Sequence, residues 1–147
     1  VEIRSPETDT EFELYYDLRW RVLREPWGQP RGSERDELDD AATHVAGYDE
    51  AKGLVCVGRL HAVETGVGQV RYMAVEEPLR GQGLGQAVLD ELERLAKRQG
   101  MSVIVLDARE AAVGFYRRNG YEALGEGHVL FGEVRHSKMR KRLDGSA

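Results

Sequence analysis

One arginine and three glycines stand close together in Arg80-Gly81-Gln82-Gly83-Leu84-Gly85. An apolar repeat at helical spacing begins directly afterwards. Such a junction can hold an anion, because the first N–H groups of a helix lack internal partners and lie at the positive end of its dipole. Glycines remove the Cβ atoms that would keep a phosphate away from those N–H groups. Arg80 adds a fixed positive charge at the rim. The same residues also describe a tight strand-to-helix turn with no ligand, and on this turn alone both readings stand. Spacing excludes several other chemistries. A dinucleotide fingerprint starting at Gly81 needs glycine at position 86, where Gln86 stands. No lysine follows in the pattern of a nucleotide-hydrolysing P-loop, and no G-x-S-x-G elbow offers a serine nucleophile. His44, His61, His128 and His136 show no i, i+4 pairing and no cysteine partners, so no metal site is expected.

The turn must be positioned by a strand before it and a helix after it. Val70, Tyr72 and Val75 are β-prone and end at Glu77-Pro78. Leu84, Val88, Leu92, Leu95 and Ala96 then repeat with a 3.6-residue period until Gly100, a residue suited to a left-handed cap. Upstream, residues 1–4 read as a short edge strand. Thr8 and Thr10, each with a glutamate three residues on, predict a capped helix with Leu14, Leu18 and Val22 on its apolar face, ending before Pro26. Residues 26–40 form an irregular acidic segment, either a solvated loop or a lid offering carboxylates to an amine.

Residues 43–48, 54–64 and 69–76 read as three strands joined by hairpin loops. Residues 102–107 are a nearly continuous apolar run, typical of a strand covered on both faces. Residues 110–119 predict a short helix, and residues 121–126 and 134–143 two last strands joined by a loop around 127–133. This order implies one α/β (α+β) domain over residues 1–147, a central mixed, mostly antiparallel sheet with helices on both faces.

Composition narrows the partners. With 41% hydrophobic and 32% charged residues, the chain is ordinary for a soluble globular protein, and no apolar run is long enough to cross a bilayer. The polar, acidic first residues resemble neither a signal nor a transit peptide. A net charge of −5 argues against nucleic acid as a partner and is compatible with an amine-bearing substrate. The basic run at residues 135–142 reads as a late strand with one solvated face. The lone Cys56 cannot form an intramolecular disulfide, which favours a cytoplasmic location, and its apolar neighbours point to a buried structural thiol.

The turn matches R/Q-x-x-G-x-G/A, and Ala111-Ala112-Val113-Gly114-Phe115-Tyr116-Arg117-Arg118-Asn119-Gly120-Tyr121 looks like A-x-x-F-Y-x-x-x-G-F/Y. Together, at this separation and with this element order, residues 43–143 resemble the GNAT superfamily of acyl-CoA N-acyltransferases. An aromatic, a glycine, His136 and Met139 near the end look closest to its ElaA-like branch, and Leu18-Arg19-Trp20-Arg21-Val22 and His44 fit it loosely.

The resemblance implies an enzyme that moves the acetyl group of acetyl-CoA to a primary amine by direct attack. The cofactor's pyrophosphate would rest on the N–H groups of Gly81, Gln82, Gly83, Leu84, Gly85 and Gln86 beside Arg80, and its pantetheine arm along Met73, Ala74 and Val75. The N–H near Val75 would polarise the acyl carbonyl. Tyr116 falls on the family's general acid, and a phenol's ordinary pKa of ~10 lets it stay protonated to donate to the CoA thiolate. Its alternative role is packing beside Phe115. The sequence departs from the family at Arg109, where asparagine is usual.

The base that deprotonates the amine lies among His136, Glu133, His128 and ordered water, with His136 foremost. The acceptor would be a small-molecule or peptide amine, and a homodimer is in keeping with the family. A CoA-binding module without catalysis, or a phosphate turn for a nucleotide, are the competing readings.

Overall fold

The computed structural model describes residues 1–144, and the last three residues of the expected domain, 145–147, lie outside the described residues. Seven strands form one sheet: β1 (Glu2–Arg4), β2 (Thr43–Asp49), β3 (Gly53–Glu64), β4 (Val67–Val75), β5 (Val103–Arg109), β6 (Glu122–Leu130) and β7 (Val134–Arg142). Their spatial order is β1-β2-β3-β4-β5-β7-β6, and β4 with β5 is the parallel pair. Helix α1 (Asp9–Leu23) covers one face, while α2 (Leu84–Arg98) and α3 (Val113–Arg118) cover the other. This is the mixed, mostly antiparallel architecture the sequence predicts.

Local chemistry accounts for the helices. Thr8 caps α1 by accepting from the Glu11 N–H, and Glu11 reaches back to the cap, which completes the capping box. The buried face of α1 differs from the expected one. Tyr15, Leu18, Arg19 and Leu23 point inward, while Leu14 is 49% exposed. The face turns because Tyr15 and Arg19 find buried polar partners, so their burial is not penalised. In α2, Val88, Leu89, Leu92 and Ala96 enter the main core, as their spacing requires.

Two features of the sheet shape the site. The register between β3 and β4 runs Val57↔Ala74 and then Arg59↔Arg71, so Gly58 alone faces both Tyr72 and Met73. This is a β-bulge, and Tyr72 sits in it with φ +58°, a conformation that costs a bulky residue of order 1–3 kcal/mol. Gly58 is required here: a Cβ would lie 2.7 Å from Met73 Sδ and 2.7 Å from Val88 Cγ1.

The second feature is a parting of strands. β4 and β5 pair only at Val67↔Val103, Gly68↔Ile104 and Gln69↔Val105. Beyond that point they separate. β5 alternates between buried and half-buried residues along its whole length instead of being covered on both faces. One further difference lies at the end of the chain. The loop expected at residues 127–133 is mostly strand, and the reversal shrinks to residues 131–133, with Phe131 and Gly132 at positive φ.

Candidate acyl-transfer cleft

Where β4 and β5 part, they leave a cleft of about 940 Å³. Residues 69–75 line one wall and Asp107, Ala108 and Arg109 the other. The Glu76 N–H donates to the Val55 carbonyl at 2.9 Å, and Val75 faces Cys56 across the ladder. Antiparallel bonding alternates, so Val75 turns its own N–H away from β3 and toward the open side. The missing β5 partner therefore leaves main-chain groups of β4 available in the cleft.

The glycine turn closes one end. Gly81 and Gly83 have φ of +81° and +85°, and nothing lies within 4 Å of where either Cβ would be. Gly83 precedes α2 with no side-chain cap, and the first helical bond there runs from Ala87 N–H to its carbonyl. The N–H groups of Leu84, Gly85 and Gln86 thus lack intrahelical acceptors. Arg80, Gly81, Gly83, Leu84, Gly85 and Gln86 all line the cleft, as do Met73, Ala74 and Val75. Gln82 does not, and it is exposed at the tip of the turn. The Gln86 side chain is engaged elsewhere, donating to Asp90 and to Asn119, which leaves its backbone to face the cleft.

Tyr116 lines the same cleft from α3, packed edge-on between Phe115 and Tyr121. Burial pushes its phenol well above the ordinary range, so it is protonated at neutral pH. Cys56 plays no comparable part. It is fully buried away from the cleft, and burial pushes its thiol up to about 11.

The α1 side of the cleft has different chemistry. His136 faces Arg109 across the β5–β7 ladder and stacks on His128 at 4.3 Å. Its Nδ1 lies 3.0 Å from the Val134 carbonyl and 3.2 Å from the His128 carbonyl. Both partners only accept, so Nδ1 carries the proton and Nε2 keeps a free lone pair. Burial and the neighbouring His128 hold His136 below the usual histidine range, hence neutral at neutral pH. His128 also lines the cleft, with Nδ1 3.9 Å from Asp107 Oδ2. Glu133 lies outside it, exposed in the final turn.

Arg109 points toward α1 and donates to the Leu23 carbonyl at 2.9 Å. Asp107, Arg24 and Tyr72 line the cleft too, and the sequence did not single them out for chemistry. Asp107 left one trace, a carboxylate closing an apolar run. Arg24 left none, since only the fold brings the end of α1 to β5. The lid reading of residues 26–40 fails on geometry. Asp36 and Asp39 are bound to Arg59, Arg71 and Arg19, and no residue of that segment lines the cleft.

The cleft brings the free edge of β4, the glycine turn and Tyr116 together, as the resemblance to acyl-CoA N-acyltransferases implies. A sequence model of the acetyltransferase (GNAT) family matches residues 12–121. The N-acetyltransferase YjcF of Bacillus subtilis (strain 168), itself uncharacterized, is 33% identical over 124 residues, covering 84% of this chain and 87% of its own. Escherichia coli ElaA matches with a TM-score of 0.82 at 17% identity, over 95% of this chain and 98% of its own. An aminoglycoside 6′-N-acetyltransferase, solved with coenzyme A, matches with a TM-score of 0.83 at 16% identity, over 100% and 99%. At such identities the structural likenesses speak to the fold. The chain belongs to the acetyltransferase (GNAT) family and is an acetyl-CoA-dependent N-acetyltransferase. No described helix is long and apolar enough to cross a membrane.

Proposed function

We propose that the cleft between β4 and β5 carries the acetyl group and that Tyr116 is the general acid of its transfer to a primary amine. The observation that carries this reading is the free edge of β4 in the same cleft as a buried, protonated phenol. The N–H groups from Gly81 to Gln86 and Arg80 take the pyrophosphate, with Gln82 contributing through its backbone alone. Met73, Ala74 and Val75 offer main-chain groups to the pantetheine arm, as to an added strand. The Val75 N–H stabilises negative charge developing on the acyl oxygen.

In the reaction a C–N bond forms, the thioester C–S bond breaks, and the amine loses one proton while the thiolate gains one. Tyr116 supplies the proton to sulfur. His136 accepts the amine's proton at Nε2, directly or through water, and is neutral when it must do so. Asp107 lies on the same side and can hold the ammonium form of an arriving acceptor.

A thermal-shift series tests the binding half of this reading. Acetyl-CoA should raise the melting temperature, as selective binding to the folded state must. ADP-ribose and ATP should raise it less at equal concentration, since they lack the pantetheine arm. An equal or larger shift with ATP would instead favour a nucleotide-binding turn.

A further inference from the structure

The arginines around the cleft are not equivalent. Arg19, Arg59 and Arg71 each hold a carboxylate of Asp36 or Asp39. Arg24 and Arg109 have no carboxylate partner among the described residues. Arg24 donates from Nε to the Ser33 carbonyl and from Nη1 to the Leu23 carbonyl, both at 3.0 Å. Arg109 donates from Nη2 to the same Leu23 carbonyl. Two guanidiniums thus converge on one neutral oxygen. Carbonyls orient a guanidinium but do not neutralise it, and like charges in a shielded site repel. Arg24 is only 6% exposed, yet it borders the cleft beside Arg109. The nearest carboxylate of the cleft, Asp107, lies by His128 and forms no ion pair with either arginine.

This pair lies on the α1 face of the sheet, although Arg109 is near enough to Arg80 to feel its charge. The glycine turn and Tyr116 belong to the side covered by α2 and α3, where Arg80 and Arg118 border the cleft. Arg24 closes α1 on the other side, over the Tyr72 ring at 5.5 Å, and Arg109 reaches toward it. Arg80 and Arg118 also lack a carboxylate partner among the described residues, but Arg24 and Arg109 lie on the side where His136, the proposed base, faces the cleft.

We propose that the acceptor is a primary amine bearing an anionic group, carboxylate or phosphate, which Arg24 and Arg109 hold by charge-assisted hydrogen bonds. The inference rests on the acetyl-transfer reading above and names the substrate class for that site. It also departs from the lid reading of the acidic segment, whose Asp36 and Asp39 are held by Arg19, Arg59 and Arg71.

Matched acceptor pairs test it on the wild-type chain by release of CoA thiol from acetyl-CoA. Glycine against glycinamide probes a carboxylate; 2-aminoethyl phosphate against ethanolamine, and glucosamine 6-phosphate against glucosamine, probe a phosphate. In at least one pair the anionic member should lead by about 10- to 100-fold in kcat/KM, the worth of one or two charge-assisted hydrogen bonds. The leading pair identifies the source of the anion. Arg109→Gln and Arg24→Gln should raise the KM for that acceptor and erase the preference, leaving the KM for acetyl-CoA unchanged. If Arg24→Gln fails to fold, Arg109→Gln and the wild-type pairs still decide. Faster turnover of neutral amines or polyamines would overturn the inference while acetyl transfer stands. So would variants that weaken acetyl-CoA instead. Absence of thiol release with any amine would overturn both.

Discussion

A phenol must be unionised to hand a proton to a departing thiolate, and burial keeps Tyr116, the proposed general acid, protonated. Tyr116→Phe should therefore cut kcat by roughly 10²-fold or more, the usual worth of a general acid, with the Kd for acetyl-CoA unchanged by titration. Full turnover in that variant would remove the residue from the chemistry. His136 carries a pH prediction. Its folded pKa is depressed, so as the proposed base it stays neutral down to a pH below the ordinary ~6.5, and kcat/KM should fall only as pH drops through that lower value. A His136→Ala enzyme that keeps the same acidic limb would assign proton removal to another group. That Tyr116 would line the cleft was legible in the sequence because its motif is local. Asp107 and Arg24 were not, because only sheet register and the return of α1 bring them to the cleft.

At the scale of elements, the site is made by what β4 fails to pair with. The order of strands and helices was legible from periodicity, caps and glycines. The bulge was not, since Tyr72 looks like any β-prone residue until Gly58 is placed opposite it. The same holds for β5, whose apolar run promised two covered faces although one borders the cleft. Gly58→Ala should destabilise the fold by about 1–3 kcal/mol in urea unfolding, because the added methyl overpacks Met73 and Val88. Gly83→Ala acts differently. Its Cβ meets no atom of the chain, but at φ +85° the residue resists the turn that the proposed phosphate site depends on. Weaker acetyl-CoA binding with little change in kcat is the expected titration result, and unchanged affinity would remove the turn as anchor.

Across the whole molecule, a buried polar network ties the segment after α1 to the sheet. Asp39 accepts from Arg19 at 2.9 Å and Arg59 at 3.0 Å, Asp36 from Arg59 at 2.6 Å and Arg71 at 3.2 Å. His44 donates to the Asp39 carbonyl at 2.7 Å. Sequence showed these residues as a charged run and a lone histidine, and only the fold reveals them as partners. Burial alone would raise the Asp39 carboxyl, but Arg19 and Arg59 outweigh it and hold it below the usual range. A carboxyl with a depressed folded pKa stabilises above the unfolded value of ~3.9 and loses that contribution as pH falls through the folded value. Asp39→Asn, which leaves the buried Arg19 without its carboxylate while Arg59 keeps Asp36, should cost about 3–5 kcal/mol at neutral pH by denaturant titration. A loss below 1 kcal/mol would mean the network is not needed to hold the segment. The central claim, acetyl transfer to an amine in the cleft between β4 and β5, is tested most directly by the rate of CoA thiol release from acetyl-CoA as amine is titrated. The account predicts saturable, amine-dependent release matched by formation of the acetylated amine. Acetyl-CoA that binds without any amine-dependent release would contradict it.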